Sequence, residues 1–420
     1  MNKINTDILI VGGGPAGMAA AVGAACKTTA KITIIDDNPT FGGQIWRAEL
    51  SKIKSPEARE LICKFEPDRI ELTNGGQVFG QADERILLTE TKNGTHAVEF
   101  EKLIIATGAR ERFLPFPGWT LPNVFGAGGL QALVKGGLTV TDKKILVAGT
   151  GPLLFAVAEY LKVRGAKVAL IAEQSPALKI YKFASSLARH PKKIVEAIRL
   201  RTKLMNVPYL TDCYVTSAEG DKRLEAVNLR RKAKNWRVEC DYLACGFHLV
   251  PNIQLASLLG CQIENKVVKV NEYQEASLSG IYCAGEPTGI GGVELSLTEG
   301  RIAGLAAVGE MRAARGLFPA RKKAQNFAAA LNRAFAVRDE LKYLADDATL
   351  ICRCEDVDLG RLKPFDSWRS AKLQTRCGMG PCQGQICGPA VEFLLGWKTD
   401  GVRPPIFPVS LESLTHICEM

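Results

Sequence analysis

The sequence predicts an α/β protein with two glycine-rich strand–turn–helix units and a small cysteine-rich domain after them. Three observations support this prediction. The pattern Gly12-x-Gly14-x-x-Gly17 directly follows an apolar segment, a related pattern begins at Lys143, and six of the thirteen cysteines lie in the last 69 residues. The chain has 420 residues, of which 46% are hydrophobic and 40 are glycines. It is therefore long enough for about two to four domains with tight strand–helix turns.

Residues 7–36 contain every part of a dinucleotide-binding unit. The apolar strand Asp7–Val11 leads into the glycine turn, a helix of small residues covers Met18–Ala25, and a second strand, Lys31–Ile35, leads to Asp36. In such a unit the first glycine permits the tight turn, the second lets a pyrophosphate approach the backbone, and the third lets the helix pack on the strand. Asp36 is placed to accept a hydrogen bond from a ribose hydroxyl. The sequence therefore predicts nucleotide binding at this unit.

Three later segments favour FAD over NAD as this nucleotide. They are FGGQ at Phe41–Gln44, LIIATGAR at Leu103–Arg110 and GIYCAGEPT at Gly280–Thr288. Together they resemble the flavoprotein fold with two dinucleotide-binding domains, of the glutathione and thioredoxin reductase type. In that fold the late segment places an aspartate on the FAD ribityl chain, whereas Glu286 stands here, and its longer side chain is expected to shift the contact. A helix predicted to start near Val293 would direct its positive end at the flavin.

A second unit of the same kind begins at Lys143. Its parts are a strand at Ile145–Ala148, the turn Gly149-x-Gly151, a helix to about Arg164, and a strand at Lys167–Ile171 that leads into Glu173. Leu154 replaces the third glycine, so the helix is expected to sit off its usual position. Glu173 has no arginine beside it, which argues against the 2′-phosphate of NADP. Three interpretations stay open: an NAD(H) site, a site for another adenine nucleotide, and a vestigial structural domain.

Four C-terminal cysteines form the pattern of an iron–sulfur site. Cys352-x-Cys354 is followed, after 27 residues, by Cys382-x4-Cys387. Close pairs of thiolates from two segments are what such a cluster needs, and each pair is expected to hold one edge of it. Glycines beside the second pair let backbone N–H groups come close to the sulfide. Zinc is the alternative metal, although zinc sites usually show C-x2-4-C at both ends.

Cys377 leaves the ligand set open, because five residues separate it from Cys382, the same spacing as from Cys382 to Cys387. It is therefore an alternative to one of the four named ligands. The odd total of cysteines and the absence of a recognisable secretory signal favour a reducing compartment over disulfides. The remaining cysteines form no metal-like cluster and are interpreted as packing residues: Cys26, Cys63, Cys213, Cys240, Cys245, Cys261, Cys283 and Cys418.

Charge and hydropathy exclude several classes of protein. The net charge of +10 raises the question of nucleic acid or anionic lipid. The basic residues concentrate locally at Arg189–Lys203, Arg230–Lys234 and Arg321–Lys323, without interleaved aromatic residues. Nucleic-acid binding is therefore not expected, and a partner surface or a weak attraction to membranes is favoured. No apolar run approaches the ~20 residues of a membrane span. The expected location is cytoplasmic, at most peripheral at the inner membrane.

The sequence shows no obvious group of residues for substrate chemistry. Reductases of this fold carry a redox-active C-x-x-C or C-x4-C pair, and the only such spacing before Cys352 is Cys240-x4-Cys245. That pair lies in a probable strand, where residues five apart point to opposite faces. The four histidines lie apart in sequence. No catalytic residue is therefore predicted, and the chain is expected to transfer electrons.

The order of these motifs is specific over about residues 5–410. It resembles the large (alpha, or A) subunit of heteromeric FAD-dependent amino-acid dehydrogenases, which include opine oxidases, bacterial proline and hydroxyproline dehydrogenases and hydrogen cyanide synthase. Its C-terminal module looks like the ferredoxin associated with bacterioferritin, and a related arrangement occurs in heterotetrameric sarcosine oxidase. The resemblance implies that a D-amino-acid-oxidase-like flavoprotein (beta) subunit oxidises the C–N bond of an amino acid or opine. The present chain would then pass the electrons to a quinone or another acceptor.

The resemblance also assigns cofactors and residues. A 2Fe–2S cluster would be held by Cys352, Cys354, Cys382 and Cys387, although the ferredoxin type closes its motif with C-x2-C and this chain has C-x4-C. The second nucleotide site would use Gly149, Gly151 and Glu173, and FMN is a further cofactor expected at a subunit interface. The residues that would hold FAD are Gly12, Gly14, Pro15, Ala16, Gly17, Asp36, Gly43, Gln44, Val78, Thr107, Gly108, Gly285, Glu286 and Val293.

The implied division of the chain has five parts. Residues 1–125 and 251–317 form the FAD-binding domain, 126–250 the second nucleotide-binding domain, 318–345 a helical connector, and 346–420 a small helical 2Fe–2S domain. Two other functions stay open. One is a free-standing NADH-dependent flavoprotein and iron–sulfur reductase, and the other is a scaffold subunit that senses a nucleotide through its second unit.

Overall fold

The computed structural model describes residues 2–47, 55–65, 68–399 and 401–415. The chain forms two compact units. Unit 1 comprises Met1–Arg110, Pro251–Ala329 and Asp400–Met420, and unit 2 comprises Glu111–Val250 and Ala330–Thr399. Two short strands, β7 (Ala109–Glu111) and β16 (Leu249–Pro251), and a long helix, α11 (Phe318–Ala334), lie where the chain passes from one unit to the other. No described helix is long and apolar enough to cross a membrane.

Unit 1 is built on a seven-stranded sheet in the order β3-β2-β1-β6-β5-β4, with β19 also paired to β6. Strands β3, β2, β1, β6 and β19 are parallel, while β5 and β4 add an antiparallel edge. The strands are β1 (Asn2–Val11), β2 (Ile32–Asp36), β3 (Ile70–Asn74), β4 (Gln77–Asp83), β5 (Ile86–Thr91), β6 (Gly94–Ile105) and β19 (Ile281–Cys283).

Strand β1 lies at the centre of the parallel part because its side chains are apolar on both faces. Ile8, Leu9 and Ile10 are buried, as expected for a strand covered on both sides. Ile8 is in register with Ile32 of β2 on one side and with Lys102 of β6 on the other. The predicted first strand is confirmed and begins earlier than expected.

Two helices, α1 (Pro15–Ala25) and α9 (Val293–Ala307), pack against each other with their backbones in close contact. Gly300 and Gly304 of α9 face the carbonyl oxygens of Ala16 and Ala20 of α1, and a Cβ on either glycine would overlap these oxygens. The predicted helix at residues 18–25 and the predicted helix start near Val293 are both confirmed.

The other elements of unit 1 are short. They are α2 (Gly43–Trp46), α3 (Pro56–Ile62), α8 (Gln254–Leu258), β17 (Ile263–Glu264), β18 (Val267–Val268), α10 (Met311–Arg315) and α15 (Leu411–Thr415). The C-terminal segment joins this unit through the N–H of Ile406, which donates to the carbonyl of Phe79 at 2.8 Å, and through Ser413, whose hydroxyl donates to Glu90 at 2.6 Å. The structure therefore groups residues 401–415 with unit 1, whereas the sequence division placed them in the cysteine-rich domain.

Unit 2 repeats the strand–helix–strand arrangement. Its parallel sheet has the order β11-β10-β9-β15-β8, and a three-stranded antiparallel sheet has the order β12-β13-β14. The strands are β8 (Val124–Gly126), β9 (Lys144–Gly149), β10 (Lys167–Glu173), β11 (Tyr209–Thr211), β12 (Cys213–Glu219), β13 (Ala226–Arg231), β14 (Lys234–Glu239) and β15 (Tyr242–Gly246). The helices are α4 (Ala127–Lys135), α5 (Leu153–Val163), α6 (Ala177–Ser186) and α7 (Pro191–Lys203).

Unit 2 also contains a cysteine module with a small core of its own. Its elements are β20 (Leu350–Cys352), β21 (Val357–Asp358), α12 (Leu359–Leu362), α13 (Trp368–Thr375) and α14 (Cys387–Leu395). Ile386 and Phe393 of the module pack against the core formed by the two sheets of unit 2. The indole N–H of Trp119 donates to the carbonyl of Leu350 at 2.6 Å. These contacts attach the module to the second nucleotide-type fold.

The cysteines interpreted as packing residues divide into two groups. Cys213, Cys240, Cys245, Cys261 and Cys283 are buried, as expected. Cys26 and Cys63 are exposed, so their interpretation as packing residues was wrong. Both stand at the C-terminal caps of helices, α1 and α3, where the chain turns to the surface. Cys418 lies outside the described residues.

The contact between α1 and α9 gives a prediction about stability. Alanine favours a helix over glycine by about 1 kcal/mol, but a Cβ at position 304 would overlap the carbonyl of Ala20. We therefore expect Gly304→Ala to destabilise the protein by about 1–3 kcal/mol, measured by thermal or denaturant unfolding.

Gly80→Ala is the matched control, because the nearest atom to its Cβ would be 3.5 Å away, an ordinary van der Waals contact. The control should unfold like the parent protein. A stabilised Gly304→Ala protein would contradict the close packing of α1 on α9.

Candidate functional site

The glycine turn of the first unit is shaped at two positions by the protein itself. A Cβ at Gly12 would overlap the carbonyl oxygen of Ala106, and a Cβ at Gly17 would overlap that of Gly12. Gly14 differs, because its φ is −77° and the nearest heavy atom to a Cβ there would be the Cα of Gly43, at 3.8 Å. The fold therefore does not require glycine at position 14. The free space beside Gly14 suits a ligand that approaches the backbone, as a pyrophosphate does.

Asp36 ends β2 beside this turn and is buried. One of its carboxylate oxygens accepts a hydrogen bond from the N–H of Gly13 at 2.5 Å. The other accepts from the backbone N–H and the side-chain amide of Asn38, both at 2.8 Å. These three donors hold the carboxylate in one orientation at the end of the second strand, where dinucleotide-binding folds bind a ribose hydroxyl.

Gly43, Gln44 and Val78 lie on the same unit. Gly43 has a φ of +57°, and its Cβ would stand 3.1 Å from the Cα of Gly14, so the two glycines face each other across the turn. Gln44 follows on α2, and Val78 is buried in β4. The structure therefore brings the first glycine turn and the FGGQ segment together.

Thr107 and Gly108 follow β6, and Thr107 is tied to a residue that the sequence analysis missed. The hydroxyl of Thr107 donates to the carbonyl of Asn252 at 2.7 Å, and the amide of Asn252 donates to the carbonyl of Thr107 at 2.9 Å. Asn252 also accepts from Arg110 at 2.8 Å through its side-chain oxygen. No local pattern marks Asn252, because its partners are more than 140 residues away in sequence.

Glu286 hydrogen-bonds to its own loop. Its carboxylate accepts from the N–H groups of Gly291 at 3.1 Å and Gly292 at 3.0 Å, directly before Val293 begins α9. Burial raises the pKa of Glu286. The expected contact of Glu286 with a ribityl chain stays a prediction.

Glu299 is a second buried acid near this loop, and the sequence analysis missed it. It accepts from the N–H of Gly285 at 3.0 Å and from the hydroxyl of Thr288 at 2.8 Å. Burial raises its pKa to about 7. Its position in the middle of α9 offered no signal other than an acid on an otherwise small and apolar helix face.

These residues fit an FAD molecule. Gly14 leaves open the start of α1, where Pro15, Ala16 and Gly17 form the first turn and no side chain caps the described helix. A Cβ at Gly108, Gly289 or Gly292 would likewise meet no heavy atom within 4 Å, so open space adjoins each of these loops. The donors are backbone N–H groups and one fixed carboxylate, which are the groups that bind a pyrophosphate and a ribose.

The corresponding turn of unit 2 is closed by its own side chains. Glu173 is fully buried at the end of β10. It accepts from the N–H of Gly151 at 2.7 Å, the N–H of Ser175 at 2.8 Å and the hydroxyl of Thr150 at 3.0 Å. Burial raises the pKa of Glu173 to about 7. Gly149, at the start of the turn, packs against the carbonyl of Gly246, and Leu154 is fully buried in α5.

The segment after α11 lies across this second turn. The hydroxyl of Thr150 donates to the carbonyl of Phe335 at 3.1 Å, and the Phe335 side chain would stand 3.9 Å from a Cβ at Gly151. The side chain of Gln174 donates to the carbonyl of Ala336 at 3.0 Å and accepts from the N–H of Arg338 at the same distance. The region where a second nucleotide would bind is therefore in contact with the chain itself.

Five cysteines converge in the cysteine module. The sulfur atoms of Cys352, Cys377 and Cys387 lie within 4.8 Å of one another and are buried. Those of Cys354 and Cys382 are 3.8 Å apart. The expectation that each sequence pair holds one edge of a cluster was wrong for this geometry, because each group takes cysteines from both segments.

Glycines and backbone donors explain how the two segments meet. A Cβ at Gly380 would overlap Cys354, so only glycine lets the second segment reach the turn that follows β20. The thiols of Cys377 and Cys387 and the N–H groups of Gly378 and Glu355 donate to the sulfur of Cys352, and they lower its pKa. Sulfur atoms that accept backbone hydrogen bonds are typical of metal-bound thiolates.

A cavity of about 430 Å³ adjoins the cysteines. Its lining combines four thiols with apolar side chains and one arginine. These residues are Phe113, Ile351, Cys352, Arg353, Cys354, Cys382, Ile386 and Cys387.

Comparison with known proteins agrees with these sites. The family profile described as pyridine nucleotide-disulphide oxidoreductase matches residues 6–305. Hydrogen cyanide synthase subunit HcnB of Pseudomonas protegens is 30% identical, over 96% of this chain and 95% of the relative. A subunit of opine oxidase from Rhizobium meliloti is 28% identical, over 98% of this chain and 99% of the relative.

A solved structure shows the same fold over almost the whole chain. L-proline dehydrogenase from P. horikoshii superposes with a TM-score of 0.71 and 19% identity, covering 98% of this chain and 80% of that one. With the family match, this confirms the predicted α/β fold with two dinucleotide-binding domains and a helical C-terminal region that carries a cysteine cluster.

Gly14 allows the flavin site to be tested without disturbing the fold. Its backbone conformation and the 3.8 Å of free distance tolerate a side chain, so we expect Gly14→Val to fold normally and to lose FAD. Flavin content after gel filtration and the unfolding temperature of the flavin-free protein measure the two effects.

Gly17→Val is the contrasting variant, since its side chain would overlap Gly12 and should lower stability as well. Full flavin occupancy in Gly14→Val protein would show that the pyrophosphate does not lie at this turn.

Proposed function

This chain belongs to the pyridine nucleotide-disulphide oxidoreductase family, and we propose that it is the electron-transfer subunit of a heteromeric dehydrogenase for an amino acid or opine. One observation carries the proposal: the chain combines a flavin-type cradle with a five-cysteine cluster and is similar over its whole length to proteins named as subunits. A bound FAD would accept two electrons and release them singly, and an iron–sulfur cluster would carry one.

The second unit argues against a free-standing NADH-dependent reductase. Glu173, which would bind the ribose of NAD, is fully buried and already accepts from three donors. The segment at Phe335 and Ala336 bonds to Thr150 and Gln174 over the same turn. Binding of NAD or another adenine nucleotide would require this segment to leave. We therefore interpret the second unit as structural, which also disfavours a nucleotide-sensing scaffold.

The grouping of the thiols supports a 2Fe–2S cluster over zinc. A single zinc ion takes four ligands arranged as a tetrahedron around one centre. Here the sulfurs form one pair and one separate group of three, which suits two metal ions that share bridging sulfide. We propose Cys354 and Cys382 as ligands of one iron and Cys352 and Cys387 as ligands of the other. Cys377 would then be the extra thiol beside the second iron.

The remaining parts of the assembly are also proposals. A D-amino-acid-oxidase-like flavoprotein subunit would oxidise the C–N bond, with FMN at the subunit interface, and a quinone or another acceptor would take the electrons. The substrate class is proline, hydroxyproline, an opine or glycine, and the location is cytoplasmic or peripheral at the inner membrane. The relatives are named as subunits of a cyanide synthase and of an opine oxidase, and these names support a C–N oxidation of this kind.

The cluster assignment predicts an asymmetry among cysteine variants. The pair Cys354–Cys382 offers no spare thiol, whereas the group of three does. We expect about two irons and two sulfides per chain. Cys382→Ser should lose them with FAD retained, and Cys377→Ser should keep them.

Iron and acid-labile sulfide analysis, with the electron paramagnetic resonance signal of the reduced protein, measures the outcome. Cys240→Ser, which changes a buried thiol outside the cluster, is the control. Stoichiometric zinc without iron in anaerobically purified protein would refute the assignment.

The isolated chain is expected to show no substrate oxidation. We mix the FAD-loaded chain anaerobically with L-proline, an opine or NADH and follow the flavin absorbance. No reduction should occur, because the chain offers no predicted acid/base pair and its second turn is closed. Adding the partner flavoprotein subunit should restore dye reduction with the amine and not with NADH.

Dithionite provides the positive control, since it should bleach the flavin of the same sample. Rapid flavin reduction by NADH would favour the reductase, and turnover of proline by the single chain would place the active site here instead of on the partner.

A further inference from the structure

Most of the chain's positive charge lies in one short segment. Residues 177–205, which cover α6, α7 and the turn between them, contain eight lysines and arginines and one acid, Glu196, and thus carry +7 of the net +10. Glu196 is itself paired with Lys193 at 3.2 Å. The segment is therefore a strongly basic surface in an otherwise nearly neutral protein.

The same segment exposes apolar side chains. Leu178 and Tyr181 of α6, Val195 and Ile198 of α7, and Met205 after α7 are between 60% and 72% exposed. Surface helices normally expose polar residues and bury one apolar stripe. A second, exposed apolar set on two neighbouring helices therefore marks an interaction surface.

The exposed set is distinct from the face that packs on the protein. In α6, Phe183 is half-buried and its ring packs edge-on against the ring of Phe335, with 5.6 Å between centroids. In α7, Ile194 is half-buried, and Leu204 just after the helix is fully buried. Each helix thus uses one apolar face for the fold and leaves a second one uncovered.

Spacing places charges beside the exposed apolar residues. Leu178 and Tyr181 are three apart, so they lie on one face of α6, and the exposed Lys179 and Lys182 follow each of them directly. Val195 and Ile198 repeat this spacing on α7, where the exposed Arg199 lies four residues after Val195 and beside Ile198. Apolar residues flanked by lysine and arginine are the arrangement of helices that lie in the interface of anionic membranes.

We propose that α6 and α7 form a docking surface for an anionic lipid bilayer, with the apolar set inserted among the lipids and the basic residues at the headgroups. The charge selects the occupant. An acidic protein partner would satisfy the lysines alone, but the combination of +7 with exposed leucine, tyrosine, valine, isoleucine and methionine suits lipid better. The proposal rests on this surface and not on the proposed electron-transfer function.

Sedimentation with lipid vesicles tests the proposal on the full-length FAD-loaded protein. Vesicles contain phosphatidylcholine alone or about one part phosphatidylglycerol to two parts phosphatidylcholine. We expect binding to the anionic vesicles only. The triple variant Lys179→Glu, Lys182→Glu, Arg199→Glu should weaken this binding by about two orders of magnitude, since each basic residue near the surface contributes roughly tenfold or less.

The matched control reverses three charges on the other basic segment. Arg230, Lys232 and Lys234 are exposed at the β13–β14 turn, and large exposed apolar residues are not among the described residues of these two strands. The variant Arg230→Glu, Lys232→Glu, Lys234→Glu has the same net charge as the first triple variant and should still bind anionic vesicles.

An apolar variant separates insertion from charge. Leu178→Ser, Tyr181→Ser, Val195→Ser, Ile198→Ser should reduce vesicle binding at least about tenfold while flavin content and unfolding temperature stay unchanged, because these side chains are exposed. Equal loss in the β13–β14 control would show a net-charge effect and overturn the proposal. So would unchanged vesicle binding of the apolar and charge variants, including a case in which they instead lose a partner subunit during gel filtration.

Discussion

Helix α9 lies against helix α1 without side chains between them, and the flavin-type site depends on this contact. Gly300 and Gly304 bring the backbone of α9 against the carbonyls of Ala16 and Ala20, one and two turns after the glycine loop. The start of α1 and the loop before α9 are therefore fixed relative to each other. Glu299, on the same helix, adds a hydrogen bond to the N–H of Gly285 and holds the end of the late glycine segment in place. One packing contact thus aligns loops that are nearly 300 residues apart in sequence.

The two nucleotide-type units use the same elements in different ways. In unit 1 the acid at the end of the second strand accepts from one N–H of the glycine turn and from Asn38, and Gly14 keeps free space beside it. In unit 2 the longer Glu173 reaches across the turn to Gly151, while Thr150 and Gln174 bond to the segment after α11. The elements are alike, but the polar groups that would face a ligand in unit 2 already have partners within the chain.

Local patterns predicted the parts that depend on local geometry. The strand–turn–helix units and Asp36 follow from residue spacing within about 30 residues, because hydrogen bonds and turns at that range fix them. Asn252 and Glu299 could not be found in this way, since their partners come from distant segments or from a buried loop. The cysteines show the same limit. Sequence predicted which thiols meet, but the pairing of Cys354 with Cys382 depends on how a β-hairpin turn approaches the glycine-rich loop, which spacing does not encode.

The cysteine module offers a reason for the second unit to persist without an open nucleotide site. The core between the two sheets of unit 2 includes Leu341 and is extended by Ile386 and Phe393 of the module. Trp119 bonds to Leu350, and the guanidinium of Arg353 lies over the Trp119 ring at 5.6 Å, next to Cys352 and Cys354. The hairpin that carries two of the cysteines is therefore held by side chains of the second unit. Apolar burial of this extent is the main stabilising contribution available to a module of about 50 residues, which is too small to form a large core alone. The second unit thus works as the platform on which the cysteine cluster is built, and loss of nucleotide binding would leave that role intact.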